Sequence, residues 1–491
     1  MRSSPLPSIP WARFRWPGRI GLVLAPVLLL IILLASHVVP LSLPSHAVIY
    51  ATPAISNTFR QPLQLSTDIY TNAGSQPQSE VEPGAFAYGD TIVTAFQAGR
   101  YQDGGSANNG WATSSDDGKS WKSGFLPGTT QSAGGPYTRL SDPTVAYDAA
   151  HNTWLIASLG IVGSGPTLAT HTIIVDLSTD GGYTWSKPYK VVDGGSTFYD
   201  KDWITCDSTP TSPYYGHCYI EWDNNDLNGL VLMSTSSDGG KTWSKPLATA
   251  DGAHGIGGQP LVQSNGTAIV PISSIDGTRL LSFISTNGGK SWSKATIIAP
   301  LNGYVLSTAG IDGANTIYVV WVDCRFEKQC VPQGGEGDAL MRPADQQTDL
   351  VMSTSADGLH WSKPQFIPAD PLGSGIEHTI TGLGVDPNTW GNSAHLALTF
   401  YYHPVNCPGD CPYSVGFVSS TDGGKHWTPR IQLGDPMNLS WLPAGRNKIG
   451  DYISTVFCNG KAFPIFSIAG QPATKGKLSE AMFTITGGLD V

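Results

Sequence analysis

The stretch "GLVLMSTSSDGGKTWSKPLATA", residues 229–250, decides the fold. An apolar run leads into a cluster of turn formers, and a second strand-like run follows, which is a β-hairpin written in sequence. Its centre, "SSDGGKTW" at 236–243, has separable parts. Asp238 can accept hydrogen bonds from the backbone N–H groups of its own turn, and Gly240 can take the positive φ that a side chain resists. Ser236 can brace the start of the turn, and Trp243 folds a large apolar surface beneath it. The string returns as "SSDDGKSW" from 114, "STDGGYTW" from 178, "STNGGKSW" from 285, a shortened "SADGLHW" from 355 and "STDGGKHW" from 420. The tryptophans fall at 121, 185, 243, 292, 361 and 427, with gaps of 49 to 69 residues that suit one four-stranded sheet plus loops. Asn287 replaces the aspartate in one copy, which an Asx turn tolerates and a catalytic acid would not. The string is therefore scaffold, and its tryptophans are expected to pack rather than to stack on sugars.

Composition agrees. Of 491 residues, 57 are glycine, 36 proline and 15 tryptophan, and only 13% are charged, which suits short strands and tight turns rather than amphipathic helices. The expected class is all-β. Before each copy lies another pair of strand-like runs, from "AFAYGDTIVTAFQA" in the first repeat to "TGLGVDPNTWGNSAHLALTFY" in the sixth. The tail continues with "DYISTVFCNGKAFPIFSIAG" and "KLSEAMFTITGG", three more strands without a copy of the string, while "RQPLQLSTDIYT" near residue 60 is an unassigned strand at the other end. Pairing the two ends would complete a seventh sheet and remove an open edge.

The N-terminus is a separate object. Residues 20–39, "IGLVLAPVLLLIILLASHVV", are long enough at helical rise to cross a bilayer core, and Arg2, Arg13, Arg15 and Arg19 precede them without an acidic residue. Residues 1–19 read as a cytoplasmic basic segment, 20–39 as a transmembrane anchor or a signal helix cleaved near "SHA" at 45–47, 40–59 as a linker and 60–491 as the exported domain. The formal charge of −10 becomes more negative still without the four arginines, which argues against nucleic acid as a partner. Six of the seven cysteines fall into local pairs, Cys206 with Cys218, Cys324 with Cys330 and Cys407 with Cys411, leaving Cys458. Such pairs read as loop staples of an oxidising compartment, since their spacing fits no zinc pattern.

The pattern S-x-D-x-G-x-x-W resembles the Asp box of the sialidase superfamily and of other proteins with bacterial neuraminidase (BNR) repeats, over roughly residues 60–490. The resemblance implies a β-propeller in which each Asp-box hairpin joins the two outer strands of a blade, away from the central binding face. Six blades are usual for sialidases. The strand count here favours seven, closed by an N-terminal strand in the last blade, with six as the alternative.

Residues that enter the innermost strands of a propeller line its central face. Here they read "EVEPG" with Glu80 and Glu82, "RLSDP" with Arg139 and Asp142, "YDKDW" with Asp200, Lys201 and Asp202, "HGIGGQP" with His254 and Gln259, "GIEHT" with Glu377 and His378, and "GRNKIGDY" with Arg446, Lys448, Asp451 and Tyr452. A sialidase needs an arginine cluster for the substrate carboxylate, a tyrosine nucleophile with a glutamate base, and an aspartate acid/base. The resemblance carries these roles to Tyr452 as nucleophile, Glu377 as its base, Asp142 as acid/base, and Arg139, Arg325 and Arg446 as the clamp. The first-blade motif Arg-Ile/Leu-Pro has no counterpart, and "VEPG" puts Glu82 there. Glu82, Asp200, Asp202 and Asp451 are the remaining candidates for substrate contacts. Three alternatives stay open for such groups: carboxylates that cap loops, a Ca2+ site built from abundant oxygen ligands, and a buried tyrosine with a satisfied hydroxyl.

Three functions follow as expectations. The first is an exported exo-glycosidase of sialidase-like type, acting as a monomer on a glycan or glycoconjugate and either anchored by the N-terminal helix or secreted. The second is a non-catalytic propeller that binds glycan or protein. The third is a glycosidase with two catalytic carboxylates, one of them Asp142 or Glu82.

Overall fold

The computed structural model describes residues 59–163, 169–303, 306–328, 330, 347–407, 410–442, 449–472 and 478–491. Residues 20–39, expected as an anchor or signal helix, lie outside them. Among the described residues helix is confined to short 3-10 turns, and no helix is long and apolar enough to cross a membrane. The fold is all-β.

The strands form antiparallel meanders. Glu80–Tyr88, Thr91–Arg100, Ser106–Ser114 and Lys122–Phe125 make the first. Arg139–Asp148, Thr153–Val162, Ala169–Ser178 and Tyr189–Asp193 make the second. A pairing of Ser106 with Leu140 joins these two into one sheet. The pattern recurs from Tyr199–Cys206 to Leu247–Ala248, from Gly255–Ile256 to Thr296–Pro300, from Thr308–Ile311 to Gln365–Ile367, and from Ile376–Val385 to Ile431–Asn438. The tail supplies Ser454–Cys458, Lys461–Ala469 and Glu480–Thr484, and Leu63–Gln64 adds to that sheet with Leu63 opposite Thr484 and Gln64 opposite Phe483. The expected pairing of the two ends is thus present. Just before it, Phe59–Arg60 runs parallel to Ile431–Asn438 of the neighbouring sheet, a contact that sequence reasoning did not anticipate.

The second strand of each meander reads as a nearly unbroken apolar run, such as "IYVVWVD" at Ile317–Asp323, because both of its faces are covered by neighbouring sheets. Cores therefore lie between sheets rather than within them. Leu155, Ile173 and Val175 of the second meander pack with Ile204, Ile220 and Trp222 of the third. Leu65 and Met482 of the last pack with Phe96 and Ala112 of the first. Truncating a fully buried side chain such as Trp222 removes about 3–5 kcal/mol. The first strands also lie side by side: Glu80–Tyr88 against Arg139–Asp148, that against Tyr199–Cys206, then Leu261–Val262, Thr308–Ile311, Ile376–Val385 and Ser454–Cys458, which lies against Glu80–Tyr88.

The repeated string does what its residues predict. Ser236 Oγ donates to Asp238 Oδ1 (2.9 Å) and accepts from the Gly240 N–H (3.0 Å), while the N–H groups of Lys241 and Thr242 donate to Asp238 Oδ1 (3.0 and 2.9 Å). Trp243 Nε1 donates back to the Gly240 carbonyl (3.0 Å). Asn287 reproduces the pattern, accepting from the Ser291 N–H at 3.0 Å. Gly240 has φ +83°, and a Cβ there would come within 2.5 Å of Leu155 in the preceding sheet. Its glycine thus serves inter-sheet packing as well as the turn. The corresponding Gly118 of the first repeat meets Phe463 of the last sheet in the same way. All three local cysteine pairs are bonded, and Cys458 is a buried thiol.

Candidate functional site

Four first strands slip register once, between Val81 and Gly84, Ser141 and Thr144, Asp200 and Trp203, and Thr379 and Thr381. At each slip a non-glycine residue adopts a left-handed backbone: Glu82 (φ +58°), Asp142 (+47°), Lys201 (+49°) and Ile380 (+45°). A bulge of this kind normally takes glycine, and a side chain there costs about 1–2 kcal/mol. Proline follows Glu82 and Asp142, which a bulge permits because it leaves an N–H out of the ladder. Three of the four strained residues are charged, and the bulges bring their side chains together.

Lys201 is the centre. Its Nζ lies 2.7 Å from Asp451 Oδ2 and 3.3 Å from Asp142 Oδ2. Burial opposes its charge, but Asp142, Asp451, Glu82 and Asp200 outweigh that and hold its pKa well above the ordinary value. Glu82 accepts hydrogen bonds from Gln97 Nε2 and from the Asp451 N–H (3.2 Å), and burial pushes its carboxyl upward. Asp142 accepts from Ser141 Oγ at 2.5 Å. Asp200 accepts from the Lys201 N–H at 3.0 Å, and burial, reinforced by Asp142, raises its pKa to about 7. Arg100, at the end of the strand beside Glu80–Tyr88, donates to Gln97 Oε1 at 3.2 Å and joins the lining. Glu82, Arg100, Asp142, Asp200, Lys201 and Asp451 line one cleft of about 620 Å3.

Tyr452 lies against this cluster. Its hydroxyl donates to the Pro143 carbonyl (3.2 Å), its ring meets Trp203 edge-on at 5.4 Å, and Lys201 Nζ lies 5.7 Å from the ring centre. Burial, then Asp142 and Glu82, pushes the phenol well above its ordinary value. Asp202 is 1% exposed, and burial with Asp142, Glu221 and Asp200 raises its carboxyl strongly.

Six of the sequence candidates therefore converge: Glu82, Asp142, Asp200, Asp202, Asp451 and Tyr452. Of the others, Glu377 and Arg325 do not line the cleft, and Arg139 borders it, its guanidinium bonded to Asp103 and the Gly104 carbonyl of the lining. Glu377 faces His403 (Nε2 to Oε2 3.5 Å), and the adjacent His378 is bonded to Asp370 at 3.1 Å. Arg139 is bound by Asp103 (2.7 Å) and stacks over Tyr101, and Arg325 is bound by Asp323 (2.6 Å). Arg446 lies outside the described residues. Sequence reasoning gave no role to Lys201 or Arg100. The signal for Lys201 was its place in "YDKDW", a cation between two carboxylates at a strand entrance; Arg100 carried no local signal. Among the described residues no group of three or more His, Cys, Asp or Glu is disposed to hold a metal ion, and the Lys201 ammonium occupies the position a cation would take among these carboxylates.

An all-β chain of antiparallel meanders, with an Asp-box hairpin in all but the last, defines an Asp-box repeat protein with an acidic cluster at its strand entrances. Residues 214–384 match the family model described as a BNR repeat-like domain. Over that stretch, about a third of its length, the chain is similar to BNR-repeat proteins. No curated protein matches it. Among solved structures it is similar to a leech intramolecular trans-sialidase complexed with 2,7-anhydro-Neu5Ac (12% identity, TM-score 0.44, covering 69% of this chain and 67% of that one). It is also similar to a sialidase of Trypanosoma rangeli in complex with sialic acid (13%, TM-score 0.42, 89% and 59%). A protein of unknown function from Dyadobacter fermentans matches at 14% identity and TM-score 0.43, over 86% of this chain and 98% of that one. The chain thus spans 59% of the length of the Trypanosoma protein.

Proposed function

We propose that this chain is an exported, seven-bladed β-propeller whose central face binds a glycan and hydrolyses it with carboxylates. The seven-blade reading is supported by six meanders that carry Asp boxes, a seventh sheet that draws its outer strand from Leu63–Gln64, and first strands that lie side by side. Export is supported by three local disulfides and by the basic and apolar N-terminus, as a membrane anchor or a cleaved signal. Protease accessibility of the domain on intact cells tests it; protection would overturn it.

The observation that carries the function is the convergence of Glu82, Asp142, Asp200 and Asp451 around Lys201 on a cleft large enough for a sugar ring. Glycoside hydrolysis needs one carboxyl that holds a proton and one that stays ionised. Asp200, raised to about 7 by burial, suits the donor of a proton to the leaving oxygen. Asp142 and Asp451, both on the Lys201 ammonium, suit the ionised partner that faces developing positive charge. The sialidase-like version of this reading requires guanidinium groups beside Tyr452. Arg139 and Arg325 are engaged by Asp103 and Asp323, and carboxylates outnumber cations in the cleft, so an uncharged or cationic glycan suits the site better than an anionic one.

A panel of uncharged, amino and sialylated glycans tests this with the purified protein. Release from uncharged or amino glycans is expected, with the rate falling as pH rises through about 7. In Asp200→Asn the rate should drop by about 100-fold or more. Release of sialic acid would overturn the choice of substrate. Binding without turnover would support the non-catalytic alternative, and no binding to any glycan would overturn both.

A further inference from the structure

A second, smaller pocket beside Lys201 shares Asp142, Lys201 and Asp451 with the cleft and has room for little more than a water-sized group such as an ammonium. Asp202 lines it, 1% exposed, and neither of its carboxyl oxygens has a side-chain hydrogen-bond partner. Glu221, close enough to act on Asp202 electrostatically, is fully buried, and neither of its oxygens has a side-chain hydrogen-bond partner. Lys201 does not answer this demand, because its contacts are to Asp451 (2.7 Å) and Asp142 (3.3 Å). A buried carboxyl without a partner is an unfavourable arrangement that a matching ligand group relieves.

Resting on the reading of the central face as a glycan site, we infer that this cavity receives the protonated amine of an unacetylated amino sugar, with Asp202 as its counter-ion. An ammonium group brings three N–H donors and a positive charge to a site with two orphaned oxygens and an excess of carboxylates. A sugar hydroxyl brings one donor and no charge, an acetamido group brings one N–H and added bulk, and an anionic sugar meets repulsion. Gln259, Ser307 and Thr381 supply further polar groups around the pocket. A metal ion is the poorer occupant, since among the described residues no set of three or more ligating side chains is disposed around one.

Calorimetric titration of the full chain with an unacetylated glucosamine oligomer, the fully N-acetylated oligomer of equal length and a lysine-containing peptide tests the assignment. The unacetylated oligomer should bind about tenfold or more tightly than the acetylated one, and Asp202→Asn should abolish that preference. Equal or tighter binding of the acetylated oligomer overturns the inference but leaves the glycan reading intact. Absence of binding by both overturns the inference, while the wider glycan panel decides the reading on which it rests. A peptide that binds as tightly as the sugar overturns the sugar class, and a preference that survives in Asp202→Asn overturns the role of Asp202. The comparison of ligands on the unmodified chain decides the matter even where the variant fails to fold.

Discussion

Replacing Lys201 with methionine keeps the bulk of the side chain and removes its charge. At an effective dielectric of about 20, the contacts of 2.7 and 3.3 Å to Asp451 and Asp142 are worth about 6 and about 5 kcal/mol of Coulomb energy, most of it offset by desolvation of the ions. What remains when one partner of such a buried pair is removed is a loss of about 3–5 kcal/mol, because the carboxylates left behind have no counter-charge. At roughly 2 cal/mol/K per residue of unfolding entropy, a domain of this size moves by about 1 °C per kcal/mol, so the melting midpoint at pH 7.5 should fall by about 3–5 °C. The loss should depend on pH. Glu82 and Asp200 have folded pKa values raised by burial, and Lys201 opposes that rise in both. A carboxyl raised in the folded state contributes stability that is full below its unfolded value near 4 and is lost as pH rises through the folded value. Removing Lys201 lifts both groups further, which steepens the loss above about pH 4, so the deficit of the variant should shrink toward pH 5. Tryptophan fluorescence during thermal or urea unfolding at pH 5 and 7.5 reads both quantities. A deficit below about 1 kcal/mol, or one equal at the two pH values, would refute the view of Lys201 as counter-ion to a buried acidic cluster.

Asp238→Ala should destabilise the third Asp-box turn by about 1–2 kcal/mol, whereas Asp238→Asn should be nearly silent, as Asn287 already serves in the fourth; equal melting losses in the two would contradict the turn-bracing role. Gly240→Ala should lose more than either, because it meets both a φ of +83° and Leu155 at 2.5 Å. Glu80, raised to about 8 by burial, sits where the first and last sheets meet and accepts from Ser66 Oγ and the Met482 N–H. Its contribution is full below about 4.5 and is lost as pH rises through about 8, so Glu80→Gln should flatten the decline of stability between pH 5 and 8.5 by on the order of a few kcal/mol. An unchanged slope in unfolding curves across that range would show that Glu80 does not titrate there.

Much of the fold was legible in the sequence because its determinants are local. The six turns carry their own hydrogen-bonding groups within eight residues, so Ser236, Asp238, Gly240 and Trp243 announce a hairpin wherever the rest of the chain goes. Local cysteine pairs were legible for the same reason. The strand near residue 60 could be assigned to the far end of the chain because the tail had one strand too few, and a sheet edge left open is unfavourable.

The site was legible only as an inventory. Acidic residues stood at successive strand entrances in the sequence, yet nothing there distinguished Asp142, which meets Lys201, from Glu377, which meets His403. Arg139 and Arg325 had the chemistry of a carboxylate clamp, but each is matched to an aspartate of its own, and Arg100 joined the cleft unannounced. The repeat, the all-β class and the turn geometry are set locally, since they depend on residues a few positions apart. The tertiary structure decided which charges meet. Glu82 and Asp451 are joined by a hydrogen bond across most of the chain, and Lys201 reaches Asp451 from a different sheet. Those encounters depend on how the sheets pack and on bulges that turn Glu82, Asp142 and Lys201 inward, and neither leaves a local trace in composition or periodicity.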